Sequence, residues 1–296
     1  MVIVTPECHR WGVLSVQRSQ HASSECEQQA ASAGETVLPI QCVVQIRMDI
    51  RLPESGPAGP FLGAAELFET EHDLGLPVHV RVRDDPDERT WAGHYDDRHV
   101  LNISRQAATS AMARELALHE LSHMARYEER HPSHHQSTRE AIYLALAGKR
   151  VESRKLSHVY QLANHMKDIY ADDITLSLAP GEKLVTFLES RLAAAVADRP
   201  PAVPTGWRLA SSNADPEITA VNAAFALALV ERHGLIEDDH RLYDLAHAAA
   251  DDAPEVEIEQ FIDAFGSLDD DPSKSEYRKA LVDVTQAYVG DGVQAD

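Results

Sequence analysis

The feature that most constrains the fold is a stretch with almost no helix breakers, residues 107–130. Met112, Leu116, Leu121 and Met124 within it are strong helix formers. Apolar residues at this spacing are typical of a helix with one buried face. We therefore predict a single helix over this stretch.

The same stretch contains the pattern HExxH, formed by His119, Glu120 and His123. Residues four apart on a helix leave the same face, so both imidazoles can bind one metal ion. The carboxylate of Glu120 then lies beside that ion, where it can take a proton from metal-bound water, as in zinc peptidases. The alternative is an exposed polar helix face with two unrelated histidines.

A catalytic zinc site needs a third protein ligand. Asp168 and Asp172 are also four residues apart, so one carboxylate could bind the ion while the other accepts the free N–H of a ligand histidine. We favour Asp168 because it fits this paired geometry. The other candidates are Asp172, Asp173, Glu140, His165 and the histidines His131, His134 and His135, of which we expect the last two to be loop residues after Pro132. A solvated acidic helix face is the alternative for the whole aspartate pair.

The HELSH segment and the later Asp168–Asp172 segment, DIYAD, resemble the two motifs of the gluzincin peptidases. This resemblance implies that His119, His123 and Asp168 bind zinc, that Glu120 is the general base and that Asp172 supports a ligand. The chain departs from the gluzincin pattern in having Asp168 where the family has glutamate, so the helix backbone must approach the metal more closely. Over most of residues 48–296 the chain also resembles a family of predicted HExxH peptidases from salt-adapted archaea.

A β-like region precedes the motif. Val78, Val80 and Val82 alternate with polar residues, and two further short segments, 91–95 and 99–103, flank a turn. These patterns predict a small antiparallel sheet before the HExxH helix. That order of elements is typical of zincin peptidases, in which an edge strand pairs with an extended substrate.

The rest of the chain is predicted to be helical. Helices are expected over 61–71, over 139–178 with a break near Gly148, and over 182–197, 215–234, 242–250, 254–265 and 272–289. We predict an α+β, mostly helical zincin-like fold, with a metallopeptidase domain over 48–198 and a helical subdomain over 207–296. The proline-rich residues 199–206 are expected to be a linker.

The first 47 residues differ from the others. They contain all three cysteines, Cys8, Cys26 and Cys42, but no aspartate and no lysine in an otherwise acidic chain. We therefore expect residues 1–47 to be a disordered tail or the result of a start codon assigned upstream of Met48. The cysteines show no CxxC spacing that would predict a metal or redox site.

The charge balance excludes several partners. The 48 acidic residues outnumber the 27 basic ones, which gives a formal net charge of −21. Such a charge repels nucleic acids and anionic membranes. Abundant acidic residues with few lysines are typical of proteins that stay soluble in concentrated salt, and no signal peptide or membrane span is evident. We expect a salt-adapted cytoplasmic protein.

These observations predict a zinc-dependent peptidase that binds one Zn²⁺ ion and acts on a peptide or protein substrate. Tyr160, Tyr170 and His165 are candidates for the donor that stabilises the tetrahedral oxyanion. The alternative is a zincin-fold binding or regulatory protein that hydrolyses nothing.

Overall fold

The computed structural model describes residues 48–52, 56–85, 89–198 and 215–290. The predictions for the tail at 1–47 and for the linker at 199–206 lie outside these residues. The chain divides into two compact units, one up to Ala113 and one from Arg114 onward. The α+β, mostly helical fold class is confirmed.

The described residues of the first unit form a four-stranded sheet and two short helices. Its strands are β1 (Ile50–Arg51), β2 (Val78–Arg83), β3 (Trp91–His94) and β4 (His99–Ser104), and its helices are α1 (Gly59–Phe68) and α2 (Arg105–Ala108). The predicted hairpin is confirmed, because β3 and β4 are antiparallel and the Tyr95 N–H donates to the Arg98 carbonyl at 2.9 Å.

The sheet is mixed, whereas the sequence pattern predicted an antiparallel one. The strand order is β1-β2-β4-β3, and β2 pairs in parallel with both β1 and β4. Strand β4 is buried at all six positions and takes an inner place in the sheet, which leaves β3 at the edge. Alternation of apolar residues indicates which face of a strand is buried but not the direction of its neighbour.

The second unit is helical. Its helices are α3 (Ala113–Glu128, beginning at the boundary between the units), α4 (Pro132–His135), α5 (Thr138–Ala145), α6 (Ser153–Leu178), α7 (Glu182–Ala197), α8 (Pro216–Arg232), α9 (Arg241–Asp251), α10 (Ile258–Gly266) and α11 (Lys274–Val289). The predicted break near Gly148 is confirmed: the chain leaves α5 before this residue, which has a φ of +78° that favours glycine.

The prediction of one uninterrupted helix over 107–130 is wrong at its start. Helix α2 ends at Ala108, and a turn separates it from α3. Within this turn the Thr109 hydroxyl donates to the Arg105 carbonyl and the Ser110 hydroxyl donates to the Ala107 carbonyl. Side chains that bond to nearby carbonyls in this way compete with the continuing helix. The HExxH residues lie beyond the turn, so their helical spacing is unaffected.

Helix α8 forms the centre of the core of the second unit. Every residue from Thr219 to Val230 is buried except the half-buried Asn222. A helix that is apolar all round is expected in the interior, and α8 packs against α6, α7, α9 and α10. The amide oxygen of Asn222 accepts hydrogen bonds from Gln161 and His165, both at 2.8 Å, which links α8 to α6.

Among the described residues, no helix combines the length and the apolar character that crossing a membrane requires.

Candidate metal centre

Helix α3 places His119 and His123 on one face, as the spacing predicted. Their Nε2 atoms lie 3.0 Å apart, and the two rings meet edge to face. Three apolar residues of the same helix, Leu118, Leu121 and Met124, are fully buried. They fix the position of α3, and the two histidines lie together on a different face of the helix.

Helix α6 brings Asp168 to this pair. Its Oδ1 atom lies 3.3 Å from Nε2 of His123 and 3.9 Å from Nε2 of His119, and the three ligand atoms are all within 4.8 Å of one another. Zinc bonds of about 2.0–2.2 Å in a tetrahedral site separate neighbouring ligand atoms by roughly 3.3–3.6 Å. The three observed separations, 3.0, 3.3 and 3.9 Å, lie on either side of this range, so small side-chain rotations would let the three residues hold a single zinc ion.

Asp172 orients the first histidine. Its Oδ1 atom lies 2.7 Å from Nδ1 of His119. A carboxylate only accepts, so His119 donates from Nδ1, and a neutral ring then directs the lone pair of Nε2 towards Asp168 and His123. The two aspartates therefore differ in position. Asp168 lies among the candidate ligand atoms, and Asp172 is hydrogen-bonded to the far ring nitrogen of the candidate ligand His119.

Two contacts between α3 and α6 fix this geometry. The hydroxyls of Ser122 and Thr175 are hydrogen-bonded at 3.0 Å and both are buried. The Nε atom of Arg126 donates to the Tyr170 carbonyl at 2.9 Å. Each contact joins a residue within three positions of His123 to one within three positions of Asp172, so both hold the helices in register at the site.

The electrostatics favour a cation among these side chains. Burial lowers the pKa of His119, but Asp172, Asp168 and Glu120 outweigh burial and raise it to about 10. Burial raises the pKa of Asp168, but the neighbouring His123, His165 and His119 hold it well below its usual range. In the described part of the chain, Asp168 and Asp172 form ion pairs with histidines and with no lysine or arginine. Lys167 interacts electrostatically with Asp168 but forms no ion pair with it, so neither carboxylate is bonded to a basic side chain other than histidine.

Glu120, the predicted general base, is 5% exposed and lies on α3 beside His119. Its charge contributes to the raised pKa of His119, which places the carboxylate near that ring.

The other candidates for the third ligand lie outside the cluster of three. Glu140 is exposed on α5, where its backbone N–H donates to the Ser137 side chain. Asp173 is paired with Arg232, with Nε and Oδ1 at 2.8 Å. His165 stands beside Asp168, with Nδ1 at 3.6 Å from Oδ2, and its Nε2 atom is bonded to Asn222. Asp168 is thus the carboxylate that the structure brings to the two histidines.

The expectation that His134 and His135 are loop residues is wrong. Both lie in the short helix α4, which begins at Pro132. His135 bonds to the Tyr127 carbonyl, whereas Nε2 of His134 lies 2.8 Å from Nδ1 of His123.

The sequence offered His134 only as a less favoured candidate ligand and did not predict its contact with His123. The contact follows from how α3 ends: Arg130 has a φ of +57°, and the His131 N–H donates to the Arg126 carbonyl, as in a Schellman motif. Pro132 then starts a new helix. A reversal at this point places the next few side chains near the last turns of α3.

The candidate oxyanion donors differ in their surroundings. Tyr160 is exposed on α6. Tyr170 is fully buried and its ring packs against His131 and Tyr277. Since Tyr170 is two positions after Asp168 on a helix, the two side chains leave α6 on nearly opposite sides. This arrangement favours a core role for Tyr170.

Comparison with protein families matches residues 48–290 to DUF5781, a family of unknown function. The match covers most of the chain, which therefore belongs to this family. Searches of curated proteins and of solved structures gave no match. The candidate metal centre lies entirely within the matched residues.

Proposed function

We propose that this protein is a zinc-dependent metallopeptidase. The observation that carries the proposal is the convergence of His119, His123 and Asp168, whose ligand atoms lie within 4.8 Å of one another. Two neutral imidazoles and one carboxylate are a donor set used by catalytic zinc sites, which keep the fourth position for water or substrate.

The chemistry follows from the groups around these ligands. Zinc bound here would lower the pKa of a water molecule and polarise a substrate carbonyl group. Glu120 would take a proton from the water that attacks the amide carbon and pass it to the nitrogen as the C–N bond breaks. Asp172 would keep His119 in the tautomer that binds through Nε2.

The same reasoning extends to the substrate and the cellular location. A peptide or protein is the proposed substrate, and the strongly negative charge argues against nucleic acid or an anionic membrane as a partner. The acidic composition with few lysines supports a salt-adapted enzyme, for which we propose a cytoplasmic location.

The first test is the metal content of the purified full-length protein. Elemental analysis should give one zinc per chain, and His123→Ala should lose it. A protein without bound metal after zinc is supplied would contradict the proposal.

The second test separates catalysis from metal binding. We expect the native protein to cleave members of a peptide library at molar salt, and Glu120→Gln to lose turnover by about 10²-fold or more while it retains zinc. If the native protein binds stoichiometric zinc and cleaves no peptide, it is a zincin-fold binding or regulatory protein instead.

A further inference from the structure

A row of hydrogen-bonded side chains leads from His123 away from the metal centre. Nδ1 of His123 lies 2.8 Å from Nε2 of His134, whose Nδ1 lies 2.7 Å from the Ser133 hydroxyl. The same hydroxyl lies 2.7 Å from Nδ1 of His131. These three contacts connect a candidate ligand to the start of helix α4.

The backbone sets the direction of the two bonds of the Ser133 hydroxyl, and a neutral His134 then sets the direction of its bond to His123. The Ser133 N–H donates to Nδ1 of His131 at 3.3 Å, so this nitrogen is an acceptor. The Ser133 hydroxyl must then donate to His131 and accept from Nδ1 of His134. A neutral His134 that donates from Nδ1 accepts at Nε2, so His123 donates from Nδ1 and keeps a lone pair on Nε2. That lone pair is the one directed at Asp168 and His119.

The far end of the row lies in the protein interior. Nε2 of His131 is buried, and the backbone of Asp270 lies close enough to this ring to act on its pKa. Burial also lowers the pKa of His131, which favours the neutral ring that the bond directions require. Because the row ends at a buried atom and not in solvent, its geometry is suited to fixing orientation.

The two candidate ligands are thus supported differently. His119 donates to the carboxylate of Asp172, whereas His123 donates to a neutral imidazole. A ligand histidine usually donates its second N–H to a carboxylate, carbonyl or water, and these partners fix its tautomer. His134 occupies the equivalent place behind His123.

We propose that His134 is a positioning residue that holds His123 in its metal-binding tautomer and is itself oriented by Ser133 and His131. The inference rests on the proposed metal site. It assigns to α4 the role of a support for that site.

The test measures zinc affinity of the full-length protein by competition with a chelator. His134→Ala should weaken zinc binding by about 10- to 100-fold, the usual effect of removing such a partner. His134→Gln should recover most of the affinity, because its side-chain oxygen can accept from His123. Ser133→Ala should cause a smaller loss, because His134 remains but is no longer oriented.

His135→Ala is the matched control. It removes the adjacent histidine of the same helix, which bonds to the Tyr127 carbonyl and not to His123. Its zinc affinity should equal that of the native protein. Equal losses in His134→Ala and His135→Ala would show a general effect on α4 and would overturn the inference.

A spectroscopic readout separates positioning from a purely structural role. In the zinc-loaded native protein, the Nδ1 proton of His123 should give a downfield NMR resonance that exchanges slowly, and His134→Ala should abolish it. If zinc binds the native protein and His134→Ala equally, the inference is wrong and the proposed function stands. If the native protein binds no zinc, both are wrong.

Discussion

Helix α6 contributes residues to two clusters of histidine and acidic side chains, and the clusters differ in how the negative charge is balanced. The metal-site cluster consists of His119, His123, Asp168 and Asp172, and the arginine cluster consists of Arg154, His158, Asp215, Glu217 and Tyr288. In the arginine cluster, Arg154 bonds to Asp215 at 2.6 Å and to Glu217 at 2.8 Å. The acids of the metal-site cluster have only histidines as ion-pair partners among the described residues.

The pKa values of the histidines in the two clusters are shifted in opposite directions. Burial lowers the pKa of His158, and the charges around it do not reverse that shift. His119 is half-buried, and although burial lowers its pKa, its acidic neighbours raise the pKa to about 10. An acid pair bonded to an arginine is neutralised within the fold, whereas an acid pair whose ion-pair partners among the described residues are histidines favours an added cation. The comparison therefore indicates which cluster is suited to bind a metal.

The largest expected difference is in stabilisation by zinc. Zinc at about 100 times its Kd should stabilise the native protein by about 2.7 kcal/mol, and Asp168→Asn should remove most of this effect because it removes a ligand charge. Asp215→Asn should retain it, since Asp215 belongs to the arginine cluster and asparagine is also a good helix N-cap. Thermal unfolding with and without zinc measures both variants. Equal stabilisation of the two would contradict the distinction between the clusters.

A smaller effect is expected from Tyr288→Phe in the arginine cluster. The Tyr288 hydroxyl lies 2.5 Å from Nδ1 of His158 and donates to Glu217 at 3.0 Å. Its removal leaves a buried histidine nitrogen without this partner, so we expect a loss of about 1–3 kcal/mol in the free energy of unfolding. Denaturant unfolding of the metal-free protein measures the loss. Zinc affinity should not change, and a parallel fall in affinity would indicate that the clusters are coupled.

The smallest expected effect concerns acid stability. Burial raises the pKa values of Asp215 and Glu217, but Arg154 outweighs burial and lowers both below their usual values. Acids with a lowered folded-state pKa stabilise the fold above the unfolded-state pKa of about 4, and this contribution is lost as the pH falls through the folded-state values. Arg154→Gln should therefore make the loss of stability below about pH 4 shallower.

Because Arg154 is exposed over much of its side chain, the change should be within about 1 kcal/mol at neutral pH. Unfolding free energies between pH 3 and 7 measure it, with Arg241→Gln as the control. Arg241 forms an exposed ion pair with Glu189, at 2.8 Å, outside the cluster. A pH profile of Arg154→Gln that matches the native one would show that Arg154 does not set these pKa values.

Several parts of the fold could be predicted because they depend on neighbours along the chain. The i,i+4 spacing of His119 and His123 places them on one face wherever the helix lies. The bounds of α7 agree with the prediction, and Asp215 and Pro216 mark the start of α8 as expected. Local pattern failed at the start of α3, where hydroxyl groups at Thr109 and Ser110 end the preceding helix.

The partners of the site depend on residues far apart in the chain. Asp168 was favoured from its pairing with Asp172, but Glu140, Asp173 and His165 had similar chemistry and could be set aside only from their positions. His134 had no distinguishing pattern of its own. Its contact with His123 follows from the left-handed turn at Arg130, which sequence-based propensity does not favour at an arginine.

The sequence by itself determined that this chain is largely helical, that two histidines share a helix face with a glutamate beside them, and that the protein is strongly acidic. These properties arise from residue type and from spacing within one or two helical turns. Only the tertiary structure decided which carboxylate meets the histidines and how each ring is oriented. Those contacts require α3, α4 and α6 to pack in one register, and contacts between residues far apart in the chain, such as Ser122 with Thr175 and Arg126 with Tyr170, hold α3 and α6 in it.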